Sequence, residues 1–425
     1  MALIFVVGSL SSLDRVAMSV ALVPMTDEMA YTDSIKGSIS SLFSVGYGLG
    51  ILPSGLLIAS LSPRWVMTVG IVFWSFGTIA TPMAAAQSSM FFLLAVRALV
   101  GASESVAIPT VQRLLSNWIP PEKKSLAVAI VFAGFQTGTI LAYSLSPFLI
   151  DKFDNWRVLF YTYGGAGLLY LVPWLLLAKD SPTADTQSFE GKPGDAPAKN
   201  IDDALSTAKN LLTSAPWKGF VSSKGVWAIF LAHAANNWGL YNNLSWTPTF
   251  YSEQYGLNVK ESALLLVVPS IAGAVGGLSA GMLADRVIQN LDERTDESIT
   301  NVRKIFQGIA LFGPSMCLGS LAYTMPEDPA VAQILLSLAV GLQSFNAAGY
   351  GAANQEKAGG KWTGLLYGIT SLPSVMVGTS AVYLTGRILD YTDQNWNVVF
   401  GLNAIVYLIG ATAFVALYDS KKEFD

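Results

Sequence analysis

Asn155-Trp156-Arg157-Val158-Leu159-Phe160 recurs about 240 residues later as Asn395-Trp396-Asn397-Val398-Val399-Phe400. Each copy follows an acidic turn, Asp151-Lys-Phe-Asp154 in one case and Asp390-Tyr-Thr-Asp393 in the other, and each leads into a long apolar run. One turn repeated at matching places in two halves is the mark of duplicated helical bundles.

Working outward from these turns, apolar runs near the length that crosses a bilayer fall at about 3–25, 37–60, 65–86, 90–117, 125–150, 156–178, 225–251, 261–288, 302–325, 329–355, 362–388 and 395–418. The chain of 425 residues is 52% hydrophobic and 13% charged, where a soluble protein carries about 25% charged residues. Its mean hydropathy is +0.47. The expected fold is an all-α membrane protein, with twelve transmembrane helices in two pseudo-symmetric six-helix bundles.

The first bundle is expected over 1–178 and the second over 225–425, joined by a hydrophilic connection at 179–224. Inside that connection Ile201, Leu205, Ala208 and Leu212 have the spacing of a short amphipathic helix on the membrane surface. A plain flexible linker is the alternative. Seventeen Lys or Arg fall in connections on one side, including the C-terminal tail, and five on the other. That bias places both termini on the cytosol-like side. The first span begins almost at Met1, so no sorting segment is expected ahead of it within this sequence.

Composition also excludes. The single cysteine, Cys317, permits no disulfide framework and no thiolate metal site. No nucleotide loop, metal-spaced His/Cys cluster or hydrolytic triad is present, so neither an enzyme nor a resident cofactor is expected. The net charge of −4 gives no reason to expect nucleic acid. The expected partners are the lipid bilayer and a small anionic solute, and the expected state is a monomer.

The anion follows from three arginines. Arg15, Arg97 and Arg113 lie inside predicted spans, where a charge costs about 2.5–3.5 kcal/mol on the most lenient scale and is seldom without a role. Arg97 and Glu104 are seven residues apart, within about 20° of one line and two turns apart. They face one side of the helix without touching. Arg15 is adjacent to Asp14, and a planar guanidinium pairs bidentately with carboxylate or phosphate. The competing readings are buried charges neutralised by other residues and an Asp14–Arg15 clamp. Arg113, sixteen residues beyond Arg97, is expected near the cytosolic mouth as an anchor.

The twelve-span plan and Gly277-Gly-Leu-Ser-Ala-Gly281-Met-Leu-Ala-Asp285-Arg286 resemble the major facilitator superfamily. Further stretches resemble its anion:cation symporter branch, solute carrier family 17, with the plant plastid relatives that move phosphate or ascorbate. These are Asp14-Arg15-Val-Ala-Met-Ser-Val-Ala-Leu-Val-Pro24-Met25, Gly46-Tyr47, Val96-Arg97-Ala-Leu-Val-Gly101-Ala-Ser-Glu104-Ser-Val-Ala-Ile-Pro109 and Asn236-Asn237-Trp238-Gly239-Leu-Tyr241. Ser103 and Ser105 stand where the family has glycines. After span ten the family's Asn-His-x-Asp-Ile-Ala-Pro-x-Tyr-Ala-Gly becomes Asn354-Gln355-Glu356-Lys357-Ala-Gly-Gly-Lys-Trp-Thr-Gly364.

The resemblance implies that spans 1, 4, 7 and 10 line a central cavity, and the polar residues collect in those spans. It implies substrate contacts from Arg15, Arg97, Asn236, Asn237, Tyr241, Asn346 and Tyr350. Glu104 and Asp14 are expected to handle a co-transported Na+ or H+. Gly281, Asp285 and Arg286 are expected to serve the conformational change. The amides of span ten fit helix stitching equally well, and His233 fits helix packing better than proton coupling. The implied function is secondary active transport of a small anion, with phosphate first and an organic anion such as ascorbate next. A sugar or drug porter of the same superfamily, or a non-transporting receptor on this fold, is the alternative. The one glycosylation sequon, Asn243-Leu-Ser245, lies inside span seven, which points to an organellar, plastid-type membrane.

Overall fold

The computed structural model describes residues 1–87, 89–118, 124–180, 206, 209, 213–291, 293–357 and 362–424. The expected amphipathic helix at 201–212 falls almost wholly outside them. In chain order the helices are α1 Ala2–Met29, α2 Asp33–Ser60, α3 Pro63–Ala85, α4 Met90–Glu104, α5 Ala107–Trp118, α6 Lys124–Phe153 and α7 Arg157–Leu177. The second half has α8 Trp217–Ser222, α9 Lys224–Tyr255, α10 Val259–Leu265, α11 Val267–Gln289, α12 Asp296–Thr324, α13 Pro329–Gln343, α14 Tyr350–Lys357, α15 Thr363–Tyr391 and α16 Trp396–Leu417. Among the described residues nine segments are long and apolar enough to cross a membrane. With α2, α6 and α9, of 28, 30 and 32 residues, they make the twelve expected spans.

Three spans expected as continuous are broken, each for a local reason. Span four divides at Ser105–Val106 into α4 and α5, because Pro109 has no N–H to return to the Ser105 carbonyl. Span eight divides at Leu266 into α10 and α11. Pro269 leaves the Leu265 carbonyl without its helical donor, and the Gln333 amide supplies one at 2.5 Å. Span ten divides between α13 and α14 around a 3-10 turn at Ser344–Ala347. There Arg303 donates to the Ala348 carbonyl at 2.9 Å and the Gln307 carbonyl accepts the Tyr350 N–H at 2.7 Å. Side chains of α12 thus take over backbone groups that a straight helix would pair internally.

The chain forms two compact units, Met1–Ala21 with Leu42–Ala215, and Leu22–Ser41 with Pro216–Asp425. In the first, the Asp180 carboxylate accepts the Ser62 hydroxyl at 2.5 Å and the Arg64 N–H at 2.8 Å. A carboxylate from the end of span six thus holds the turn after span two. Leu22–Ser41 group with the second unit, beyond the expected 1–178 boundary, because polar contacts hold them there. Asp390 accepts the N–H groups of Asp33 and Ser34, both at 2.9 Å, capping the first turn of α2. Lys36, 3% exposed, pairs with Asp33 and reaches Glu253 at 2.5 Å.

Candidate functional site

Four ionisable side chains gather inside the first unit, Asp14 and Arg15 from α1 and Arg97 and Glu104 from α4. Asp14 and Arg97 are 3% exposed and Glu104 is fully buried, whereas the Arg15 side chain keeps 33% of its surface. Arg15 Nη2 lies 3.6 Å from Glu104 Oε2, and the Ser11 hydroxyl donates to that same oxygen at 2.8 Å. Glu104 Oε1, Asp14 Oδ1 and Arg97 Nε are buried without a hydrogen-bond partner among the described residues. Arg97 and Glu104 stand as their spacing required. The sequence did not foresee that Arg15 would pair with Glu104, since that contact joins residues 89 positions apart.

Backbone proximity fixes this cluster. A Cβ on Gly101 would strike the Phe43 carbonyl oxygen, and one on Gly46 would strike the carbonyl of Ala98. Only glycine lets α2 and α4 come this close. Phe43 and Tyr47 of α2 consequently face the arginines. The Arg15 guanidinium carbon is 5.0 Å from the Phe43 centroid and 5.2 Å from that of Tyr47, and Arg97 is 5.1 Å from Phe43. Arg113 lies on α5, past the break from Glu104, and is half-buried.

The remaining expected contacts belong to the second unit. Asn236 of α9 is the hub of an amide network. Its carbonyl oxygen accepts Asn346 at 2.6 Å and Gln343 at 3.0 Å, while its own amide donates to the Tyr350 hydroxyl at 3.3 Å and to Asn237 at 3.4 Å. Gln307 donates to Asn346 at 2.7 Å. Asn236, Asn237, Asn346 and Tyr350 are thus brought together, and Tyr241 stands with Asn237 beside Gly378 of α15. These amides satisfy one another, as buried amides must. His233 stacks on Tyr350 with centroids 4.7 Å apart, and its Nδ1 is buried without a hydrogen-bond partner among the described residues.

Gly281 has open space where a Cβ would be, and the close helix approach falls at Gly276, whose Cβ would meet the Gly341 carbonyl. Asp285 and Arg286 are exposed and make no ion pair among the described residues. Three buried cations went unnoticed in the sequence. Besides Lys36 they are Arg303, forked onto Glu356 at 2.5 and 2.9 Å, and Lys357, 2.6 Å from Asp419 and 2.5 Å from Glu423. Lys36 and Lys357 sit at helix ends, where a charge ordinarily meets water, and Arg303 lies two turns into α12. The charge change from the family's aspartate to Lys357 was the one available signal.

The sequence profile of the Major Facilitator Superfamily matches residues 4–372. The chain belongs to the Major Facilitator Superfamily. Within it, the chain is 34% identical over 416 residues to the chloroplastic ascorbate transporter of Arabidopsis thaliana, covering 98% of this chain and 74% of that protein. It is 32% identical to sodium-dependent phosphate transport protein 1, chloroplastic, of the same plant, covering 98% and 78%. It is 31% identical to probable anion transporter 1, chloroplastic, of Oryza sativa subsp. japonica, covering 98% and 75%. Among solved structures, a bacterial homologue of the human lysosomal transporter Spinster superposes with a TM-score of 0.75 at 14% identity, covering 98% of this chain and 95% of that one. The D-xylose–proton symporter gives 0.72 at 14% identity, covering 99% and 98%. Both share the superfamily fold.

Proposed function

We propose that this protein is a secondary active transporter of a small anion in a plastid membrane, phosphate first and ascorbate-like organic anions next. It works by alternating access, driven by H+ or Na+. The observation that carries the reading is the four-charge cluster with one reachable member. Arg15 keeps a third of its side chain exposed while its carboxylate partner is wholly buried. The relatives named for phosphate, ascorbate and anions support the substrate class.

The charge balance gives the coupling its physical basis. Asp14 and Glu104 match Arg15 and Arg97, so the set is neutral when all four are ionised. An anion arriving at Arg15 adds uncompensated charge in an apolar interior, which is costly. A proton or Na+ taken up at Glu104 restores neutrality and releases Arg15 to the anion. Anion and cation then bind best together, which is symport. The amides of the second unit, engaged with one another, offer few free groups to a sugar, which counts against the sugar-porter alternative.

Reconstitution into proteoliposomes tests this. Labelled phosphate, ascorbate and other organic anions are offered under imposed pH and Na+ gradients. Concentrative uptake of one of them under one gradient is expected. Absence of flux for every anion under both gradients would overturn the proposal.

A further inference from the structure

Phe43 occupies the point where α2 meets α4 backbone to backbone, held there by Gly46 and Gly101. It is 4% exposed, and both guanidiniums of the cluster lie over its ring, at 5.0 Å for Arg15 and 5.1 Å for Arg97. Tyr47, one turn on, stacks beside it with centroids 6.3 Å apart and planes 23° apart. No other residue among the described ones places an aromatic ring against both arginines.

Two guanidiniums that serve one anion repel each other when the anion has left. Glu104 holds Arg15 by its charge at 3.6 Å, and a carboxylate always competes with the substrate for N–H donors. An aliphatic side chain would hold neither. An aromatic face attracts both cations through its quadrupole and takes up no hydrogen-bond donor. The ring contact itself costs no donor, and the forks stay aimed.

We propose that Phe43 is a positioning residue for anion recognition, fixing the Arg15 and Arg97 guanidiniums through cation–π contact so that their N–H groups are presented to the substrate. The inference rests on the reading of these arginines as anion contacts. Its chemistry predicts sensitivity to the charge on the ring face, which a space-filling role lacks.

The test is initial phosphate uptake in proteoliposomes, with KM and Vmax measured separately. Phenylalanines bearing one, two and three fluorines are placed at position 43, which drains the ring face with little change of shape. The expected result is a stepwise rise in KM, reaching about tenfold for the trifluorinated ring, the equivalent of one largely desolvated cation–π contact. Vmax and melting temperature stay near those of the parent. Phe43→Leu raises KM at least as far. A flat KM across the fluorinated series, with Arg15→Gln and Arg97→Lys both raising KM, overturns the role of Phe43 and leaves the arginine reading standing. Unchanged KM in both arginine variants overturns the arginine reading and the Phe43 inference with it.

Discussion

Arg15 Nη2 stands 3.6 Å from Glu104 Oε2, a reachable guanidinium held by a carboxylate with no exposed surface. Glu104 cannot exchange its counter-ion with water, so whatever displaces Arg15 must be balanced inside the protein. Glu104→Gln keeps the size and an acceptor for Ser11 but removes the charge. The variant is expected to bind phosphate at least as tightly as the parent and to retain phosphate–phosphate exchange. Gradient-driven accumulation should fall by an order of magnitude or more. Isotope exchange and net uptake on the same vesicles separate the two, and undiminished accumulation would remove Glu104 from the coupling step.

Arg97 calls for a gentler substitution than alanine. At 3% exposure it lies within the field of Asp14 and Glu104, and stripping a buried cation from such a cluster costs about 3–5 kcal/mol. Arg97→Ala should therefore lose stability as well as uptake. Arg97→Lys keeps the charge but gives up the planar fork and the stacking on Phe43. It is expected to melt near the parent temperature while phosphate uptake falls at least tenfold. Wild-type uptake by Arg97→Lys would mean that a point charge suffices and the fork geometry is idle.

What the sequence made legible follows from the range of the interactions involved. Span positions, the duplicated halves and the shared face of Arg97 and Glu104 depend on local apolar length and helical pitch. Both can be read from one segment at a time. The Arg15–Glu104 pair, the capping of α2 by Asp390 and the donation by Gln333 to Leu265 each join residues far apart in the chain. No single segment encodes them. Breaks at Ser105–Val106 and Leu266 were signalled by Pro109 and Pro269. The break between α13 and α14 has no proline, and its cause lies in Arg303 and Gln307 of another helix. Asn236, Asn346 and Tyr350 were expected as substrate contacts from the resemblance, with helix stitching an equal reading for span ten. Their mutual hydrogen bonds account for their polarity without a ligand.

Asn236 offers a way to separate stitching from substrate contact. Replacing it by alanine removes the acceptor shared by Gln343 and Asn346, and a buried donor left unsatisfied costs about 1–3 kcal/mol. Asn236→Ala should lower the melting temperature by several degrees. Asn236→Asp keeps the acceptor oxygens and should recover part of that loss. If both variants melt like the parent while KM rises tenfold, the residue acts on substrate instead.

Lys36 closes a different contact. It is buried between Asp33 and Glu253, and its ammonium lies 5.8 Å from the Trp246 ring. Lys36→Met leaves two carboxylates facing each other with no cation. Adding Glu253→Gln removes that charge–charge repulsion. The double variant is accordingly expected to melt higher than Lys36→Met alone, with a coupling of about 1–3 kcal/mol in a double-mutant cycle. Additive losses would place the stabilisation of this turn in Asp390 and its cap on α2, not in Lys36.

Lys357 shows how unequal burial sets the outcome of breaking a pair. The ammonium is fully buried, while its partners Asp419 and Glu423 keep 51% and 30% of their side-chain surface. Phe424 anchors the same tail on Phe220, with ring centroids 4.7 Å apart. Removing the lysine returns two partly hydrated carboxylates to water at small cost. Removing both acids strands a buried cation, the situation that costs about 3–5 kcal/mol. Asp419→Ala with Glu423→Ala should therefore destabilise more than Lys357→Met, although both break the same two ion pairs. Adding Lys357→Met to the double variant should raise its melting temperature again. Equal melting temperatures for the lysine variant and the double acid variant would mean that Phe424 and the backbone bond from Glu423 N–H to the Lys357 carbonyl, at 3.2 Å, hold the tail without help from charge.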